Sequence, residues 1–290
     1  MIKRCSFPTT SSPDVYYTVD SFANGISFGA QSLLDDMDPR DHFALKLHDE
    51  NDLIALRRRY PFRKGDPLAE LELYLMKLSE QGVLRKSHII FGTFTDPFHP
   101  FDSKFDASMK FIEIFRRYTP GLLTIQTRSP LIVIALPILK KLKRRVSVTI
   151  AIETPDERVC RKLTPTLPQP EERFKVAKTL KKFGVEVTLQ VAPVLPYGEW
   201  KKDAESFASK LIEHSDYIFL KPLCSGNTRL NRKSERSLIA KALAAERKYH
   251  WLRPDSAKPL HDAIVASAPE KLLPPERLQF AEKQLSIFAA

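Results

Sequence analysis

From residue 87 onward the apolar residues of this chain follow two rhythms in turn. The blocks Ser87–Phe94, Leu122–Thr127, Arg145–Ile152, Val185–Leu195 and Asp216–Leu223 are short, and they alternate or run apolar as strands do. Between them the spacing lengthens: in Lys104–Tyr118, Phe105, Met109, Ile112 and Phe115 recur at helical intervals. Gln169–Gly184 carries the signals of a helix. Pro170 stands in its first turn beside Glu171 and Glu172, lysines gather near its end, and Gly184 stops it. Pro130–Leu142 predicts a helix that Pro130 opens and Pro137 kinks or restarts. Pro155–Leu163, Glu199–Ser215 and Arg232–His250 predict three more helices, and Val15–Phe22 and His42–His48 two earlier strands.

Strands and helices in regular succession build parallel βα units, so the expected fold class is α/β, a (β/α) barrel, whole or partial. Its core would span about residues 15–225. Residues 61–86 predict an added helix with loops, and about 226–290 a C-terminal helical extension rich in proline and alanine. Neither has the makings of an independent unit, so residues 1–290 are expected to form a single domain. Barrels of this kind carry their chemistry at the C-terminal ends of the strands. That rule selects Thr93, Thr95 and Asp96, then Thr127, Arg128 and Ser129, then Glu153 and Thr154, and finally Lys221 and Cys224.

Composition narrows the function classes. The longest apolar run, Pro130–Leu139, falls short of the roughly 18–20 residues of a membrane span, and the N-terminus lacks the apolar centre of a secretory signal. A soluble, cytoplasmic protein with no membrane partner is expected. Cys5, Cys160 and Cys224 are too few and too scattered for a disulfide framework or a sequence-local zinc site. No glycine-rich phosphate loop follows a strand. The net charge is +11 and partly clustered, in Arg57, Arg58 and Arg59, in Lys140, Lys141, Lys143, Arg144 and Arg145, and in Arg229, Arg232 and Lys233. Such clusters can neutralise phosphates, which makes DNA or RNA a candidate partner; a solvated basic face is the plainer alternative. The sequence leaves the oligomeric state open.

Ser21–Leu34, SFANGISFGAQSLL, has the rhythm of a metal-binding loop after the first strand, yet it holds no cysteine, histidine or carboxylate. The surrounding text explains the rhythm. GTFTDPFHPFDSKF (Gly92–Phe105), TIQTRSPLI (Thr124–Ile132), the long stretch Val146–Pro196 and Phe43–Arg59 together resemble, in order, the spore photoproduct lyase-like branch of the radical S-adenosylmethionine (radical SAM) superfamily. The resemblance covers roughly residues 15–225. It implies a partial (β/α)6 TIM-like barrel and a 4Fe–4S cluster held by a C-x3-C-x2-C loop, with S-adenosylmethionine (SAM) on the fourth iron. In this chain the three ligand positions fall on Ile26, Ala30 and Leu33, none of which can bind iron. A second register, Ala23, Ser27 and Ala30, has the same spacing and would look like deliberate replacement of cysteine. The loop would then keep its backbone habit, capping the barrel, without its ligands.

By the same resemblance, Thr93 and Thr95 stand where the family contacts the SAM amino group, with Asp96 beside them. Arg128 replaces a lysine that meets the SAM carboxylate, and Ser147 and Thr149 match small hydroxyl residues near SAM. Thr164 replaces a glutamate and His99 a glutamine. Three readings follow. The chain is a degenerate radical SAM-like protein without its cluster, a non-catalytic or regulatory module binding nucleic acid, SAM or both. Alternatively, it is an enzyme using SAM or another nucleotide without radical chemistry. In the third reading it is a cluster-ligand mutant of an active radical SAM enzyme.

Overall fold

A computed structural model describes residues 15–22, 25–32, 62–93, 95–98, 104–224 and 238–273. Eight strands form one sheet: β1 (Val15–Phe22), β2 (Gly25–Ser32), β3 (Phe62–Lys64), β4 (His88–Phe91), β5 (Leu122–Thr127), β6 (Val146–Ala151), β7 (Glu186–Val194) and β8 (Tyr217–Pro222). Their spatial order is β3-β2-β1-β4-β5-β6-β7-β8. β1 and β4 to β8 are mutually parallel, and β2 and β3 extend the β1 edge antiparallel. The fold is thus α/β, with six parallel strands and two antiparallel strands at one edge among the described residues, and the expected strand His42–His48 lies outside them.

Helices connect the parallel strands: α1 (Pro67–Glu80) leads to β4, α2 (Lys104–Arg117) to β5, α3 (Leu136–Leu142) to β6, α4 (Glu157–Leu163) and α5 (Pro170–Lys182) to β7, and α6 (Ala204–His214) to β8. α7 (Leu238–Ala245) and α8 (Lys258–Ser267) follow the sheet. Pro130 opens a 3-10 turn, Pro130–Ala135, and the chain restarts as α3 with Pro137 in its first turn. This is the restart expected of a proline that lacks an N–H to donate. The helix within 61–86 is α1. It lies between β3 and β4 in the chain and buries Leu71, Tyr74, Leu75 and Leu78.

One expectation is corrected. Gly25–Ser32 is a strand, not a ligand loop: it pairs with β1 from Phe22↔Gly25 to Val15↔Ser32. The reason is period-2 patterning. Ile26 and Phe28 sit two apart and are both buried, with the Phe28 ring 4.3 Å from that of Tyr74. Ala30 pairs with Tyr17 in the same ladder, and Leu33 lies outside the described residues.

The parallel strands have two unlike faces. Leu123, Ile125, Val148, Ile150, Val187, Leu189 and Val191 belong to the large core that includes the helices. The alternate positions are polar apart from Ile90 and run in register. Thr18, Ile90, Thr124, Ser147 and Glu186 form one row across the sheet, and Gln126, Thr149 and Thr188 a second, one step nearer the strand C-termini. A two-residue step is roughly 7 Å of strand, so these rows mark depth inside the open barrel.

Candidate active site

The second row leads to the C-terminal ends of β1, β4, β5 and β6, where the sequence placed its candidates. Gly92, just after β4, has φ +93°, and a Cβ there would lie 2.6 Å from Pro97 Cδ and 2.7 Å from the Gln126 carbonyl oxygen. Only glycine lets the turn press this closely against β5. Thr93 follows, fully buried, and its Oγ1 has no hydrogen-bond partner among the described residues. Gln126 Oε1, on a side chain 1% exposed, is unpartnered as well.

The neighbouring carboxylates are committed to holding the turns. Asp20, at the end of β1, accepts from the Thr95 N–H at 2.9 Å and from its hydroxyl at 3.3 Å. Asp96 Oδ1 accepts from the Phe98 N–H at 3.0 Å and from the Thr127 hydroxyl at 2.6 Å, while Oδ2 accepts from the Arg128 N–H at 2.7 Å. Asp96 therefore closes its own turn and ties the β4 loop to the β5 loop. Thr127 Oγ1 in turn accepts from the Ser129 N–H at 2.9 Å.

Beneath these loops lies a buried ionic triad. Glu153, 1% exposed, takes Arg128 Nε on one oxygen at 2.8 Å and Arg173 Nη1 on the other at 2.7 Å. Burial alone would push the Glu153 carboxyl up, but the two guanidiniums beside it outweigh burial and hold it below the usual carboxylate range. Arg173 comes from α5, whose start is fixed by the Gln169 N–H donating to Glu172 at 3.0 Å. Its Nη1 also donates to the Ala151 carbonyl at 2.6 Å, and its Nη2 lies 3.6 Å from Cys160 Sγ. Sequence reasoning placed Glu153 at a strand end but missed Arg173, since a helix pattern does not reveal which basic residue turns inward. Arg128 is 3% exposed and its Nε is engaged by Glu153, although one carboxylate between two guanidiniums leaves the triad with one positive charge over.

Of the remaining candidates, Ser147 sits one row deeper. Its Oγ is 2.8 Å from Thr124 Oγ1, which is 2.8 Å from His88 Nε2. Thr149 stands in register with Gln126. Thr154 donates to the Pro196 carbonyl at 2.5 Å, and Thr164 to the Cys160 carbonyl at 3.0 Å. The mouth thus gathers Thr93, Thr95, Asp96 and Arg128, with Gln126 an addition that lay unnoticed in the strand text; Ser147 belongs to another layer. His99 and the clusters Arg57–Arg59 and Arg229–Lys233 lie outside the described residues. In the cluster 140–145, Lys140 rests over the Phe183 ring at 5.2 Å.

Of the positions that the resemblance assigns to iron–sulfur ligands, Ile26 is the one whose side chain lies among the described residues, and it does not fit that role. Such clusters need protein thiolates, and in β2 the first position is Ile26, a hydrocarbon side chain at 0% exposure in the core. Among the described residues no group of three or more His, Cys, Asp or Glu side chains is placed to hold a metal ion. No described helix is long and apolar enough to cross a membrane.

No family model matches the sequence. Uncharacterized protein ORF301 of Acidianus two-tailed virus is 32% identical over 81 residues, a match that spans 28% of this chain and only 27% of that protein. Among solved structures, a cysteine-to-serine mutant of spore photoproduct lyase superposes with a TM-score of 0.50 at 14% identity, over 73% of this chain and 67% of that one. A tyrosine-to-phenylalanine mutant gives 0.51 at 13% identity, again over 73% and 67%. Spore photoproduct lyase complexed with dinucleoside spore photoproduct gives 0.50 at 13%, over the same shares. At these identities the likeness is one of fold: over the matched part the chain shares the fold of spore photoproduct lyase.

Proposed function

We propose that this chain is a radical SAM-type barrel that works without the 4Fe–4S cluster, as a nucleic-acid-binding module rather than a radical enzyme. The observation that carries the reading is the first ligand position: Ile26 is a buried β-strand residue packed in the core, where a cluster would need a thiolate facing the mouth. The triad supports it, because Arg128, which would meet the SAM carboxylate, is buried with its Nε already held by Glu153. Nucleic acid is the favoured partner on two grounds. The chain carries a net charge of +11 with a run of five bases in 140–145, and a protein of the same fold is known in complex with a dinucleoside photoproduct.

The test is anaerobic reconstitution with iron and sulfide, followed by an iron assay. The expected content is background iron, with no charge-transfer absorption from thiolate-bound iron. Three to four irons per chain, roughly a full cluster, would overturn the proposal and return the chain to the radical enzymes.

A second reading, a pocket that binds SAM or another nucleotide without radical chemistry, is favoured by Thr93 Oγ1 and Gln126 Oε1, buried and unpartnered at the mouth. A ligand hydroxyl or amine would satisfy both. Calorimetric titration of SAM into the metal-free protein should then give saturable heat that Gln126→Leu abolishes; no heat with either protein rejects this reading.

A further inference from the structure

The end of the sheet opposite the mouth carries a second feature. A cleft of about 520 Å³ opens there, lined by Arg85, Arg116, Lys141, Lys143, Arg144 and Arg145, with Thr119 and Leu142 completing the wall. No acidic residue lines it. Three chain segments meet to build it. Arg85 lies in the 3-10 turn Leu84–Lys86 just before β4, and Arg116 in the last turn of α2. Lys141 is in the last turn of α3, and Lys143–Arg145 form the 3-10 turn before β6.

Two backbone details hold these segments together. The Gly121 N–H donates to the Leu84 carbonyl at 3.0 Å, and a Cβ on Gly121 would lie 2.8 Å from the Arg85 oxygen and 3.0 Å from that of Ser87. Glycine therefore permits the turn before β5 to lie directly against the one that carries Arg85. Lys143 has φ +53°, in the left-handed region, which ends α3 and turns the following arginines toward the same cleft.

Among the described residues, most of these charges are not balanced. Arg116 Nε pairs with Glu113 at 2.5 Å, but Arg85, Lys141, Lys143, Arg144 and Arg145 form no ion pair among the described residues. Arg145 Nη1 is buried without a hydrogen-bond partner among the described residues. Like charges confined together raise the local potential, and a buried donor left unpaired costs free energy. An anion would relieve both. Four of the six cations are arginines, whose planar forks match pairs of phosphate oxygens. Six cations also exceed the charge of about −2 on a single phosphate group, so the matching ligand carries phosphates in series.

We propose that this cleft is the phosphodiester-binding surface of the protein, so that nucleic acid docks at the N-terminal end of the strands and not at the mouth. This rests on the nucleic-acid reading above and names the face that serves it. The test is fluorescence anisotropy of labelled single-stranded and duplex DNA and RNA oligonucleotides, titrated with the full chain across a salt series. Three proteins are compared: wild type, Arg85→Ser/Arg144→Ser, and Lys201→Ser/Lys202→Ser, which removes the same charge from an exposed pair after β7. Both doubles alter exposed side chains, and far-UV circular dichroism checks their folding.

The expected result is salt-sensitive binding by wild type, weakened at least tenfold in the cleft variant, with the log–log salt slope reduced by about two. The control should bind within about twofold of wild type and keep its slope, apart from the small effect of net charge. Equal weakening of both doubles would overturn the cleft in favour of bulk charge. Unchanged binding by the cleft variant would also overturn it, while leaving the nucleic-acid reading in place. No binding by wild type would remove both.

Discussion

Glu153 shows how single residues at the mouth have been turned to structural use. Its carboxylate is buried between two guanidiniums, so removing its charge leaves Arg128 and Arg173 facing each other without compensation. Glu153→Gln should cost about 3–5 kcal/mol, read as a lower midpoint in chemical denaturation. Because the folded carboxyl titrates below its unfolded value, its contribution is complete above the unfolded pKa and is lost as pH falls through the folded one. Wild-type Tm should therefore drop on acidification below the usual carboxylate range. The variant should start lower and fall less; parallel curves would show that Glu153 does not carry this pH dependence. Gly92→Ala adds a Cβ against the Gln126 carbonyl at a φ of +93° and should cost roughly 2 kcal/mol or more. Both effects concern stability, which is what a mouth organised around its own hydrogen bonds predicts.

Among elements, β2 is the one whose nature bears most on function. As a strand it buries Ile26 and Phe28 against α1, the Tyr74 ring included. Phe28→Ala should cost about 3–5 kcal/mol, the ordinary loss for a buried aromatic. A more pointed measurement is Ile26→Cys. In a strand facing the core the new thiol should resist a thiol-specific reagent until denaturant is added, whereas in a loop capping the barrel it would react at once. Rapid labelling of the folded variant would contradict the buried strand and reopen the question of a metal loop. The helical connections had been legible: the capping residues of α5 and the proline restart before α3 are local signals, and the chain obeys them. The Gly25–Ser32 segment misled because its small residues imitate a loop, while its strand pattern rests on two apolar side chains and on pairing with β1.

For the molecule as a whole, charge is the quantity to follow. The cleft before β4, β5 and β6 concentrates six cations, of which all but Arg116 form no ion pair among the described residues. Arg85→Ser/Arg144→Ser should accordingly raise Tm slightly at low ionic strength. The gain should vanish near 1 M salt, where the screening length is about 3 Å. A variant that is less stable at low salt would mean that these arginines support the fold, and the case for an anion site would weaken.

The α/β class and its order of strands and helices were determined by the chain's local patterning, because period and capping act within a few residues of sequence. So were the absence of thiolates at Ile26 and Ala30 and the positions of Thr93, Asp96, Arg128 and Glu153 at strand ends. What those residues do was decided only when distant segments met. Arg173 reaches Glu153 from α5, Asp20 reaches Thr95 from β1, and Arg85 joins Lys143–Arg145 across a gap that Gly121 keeps narrow. Pairing of charges and donors depends on distances between segments far apart in the chain. Those distances are set by sheet register and helix packing, which no local pattern encodes.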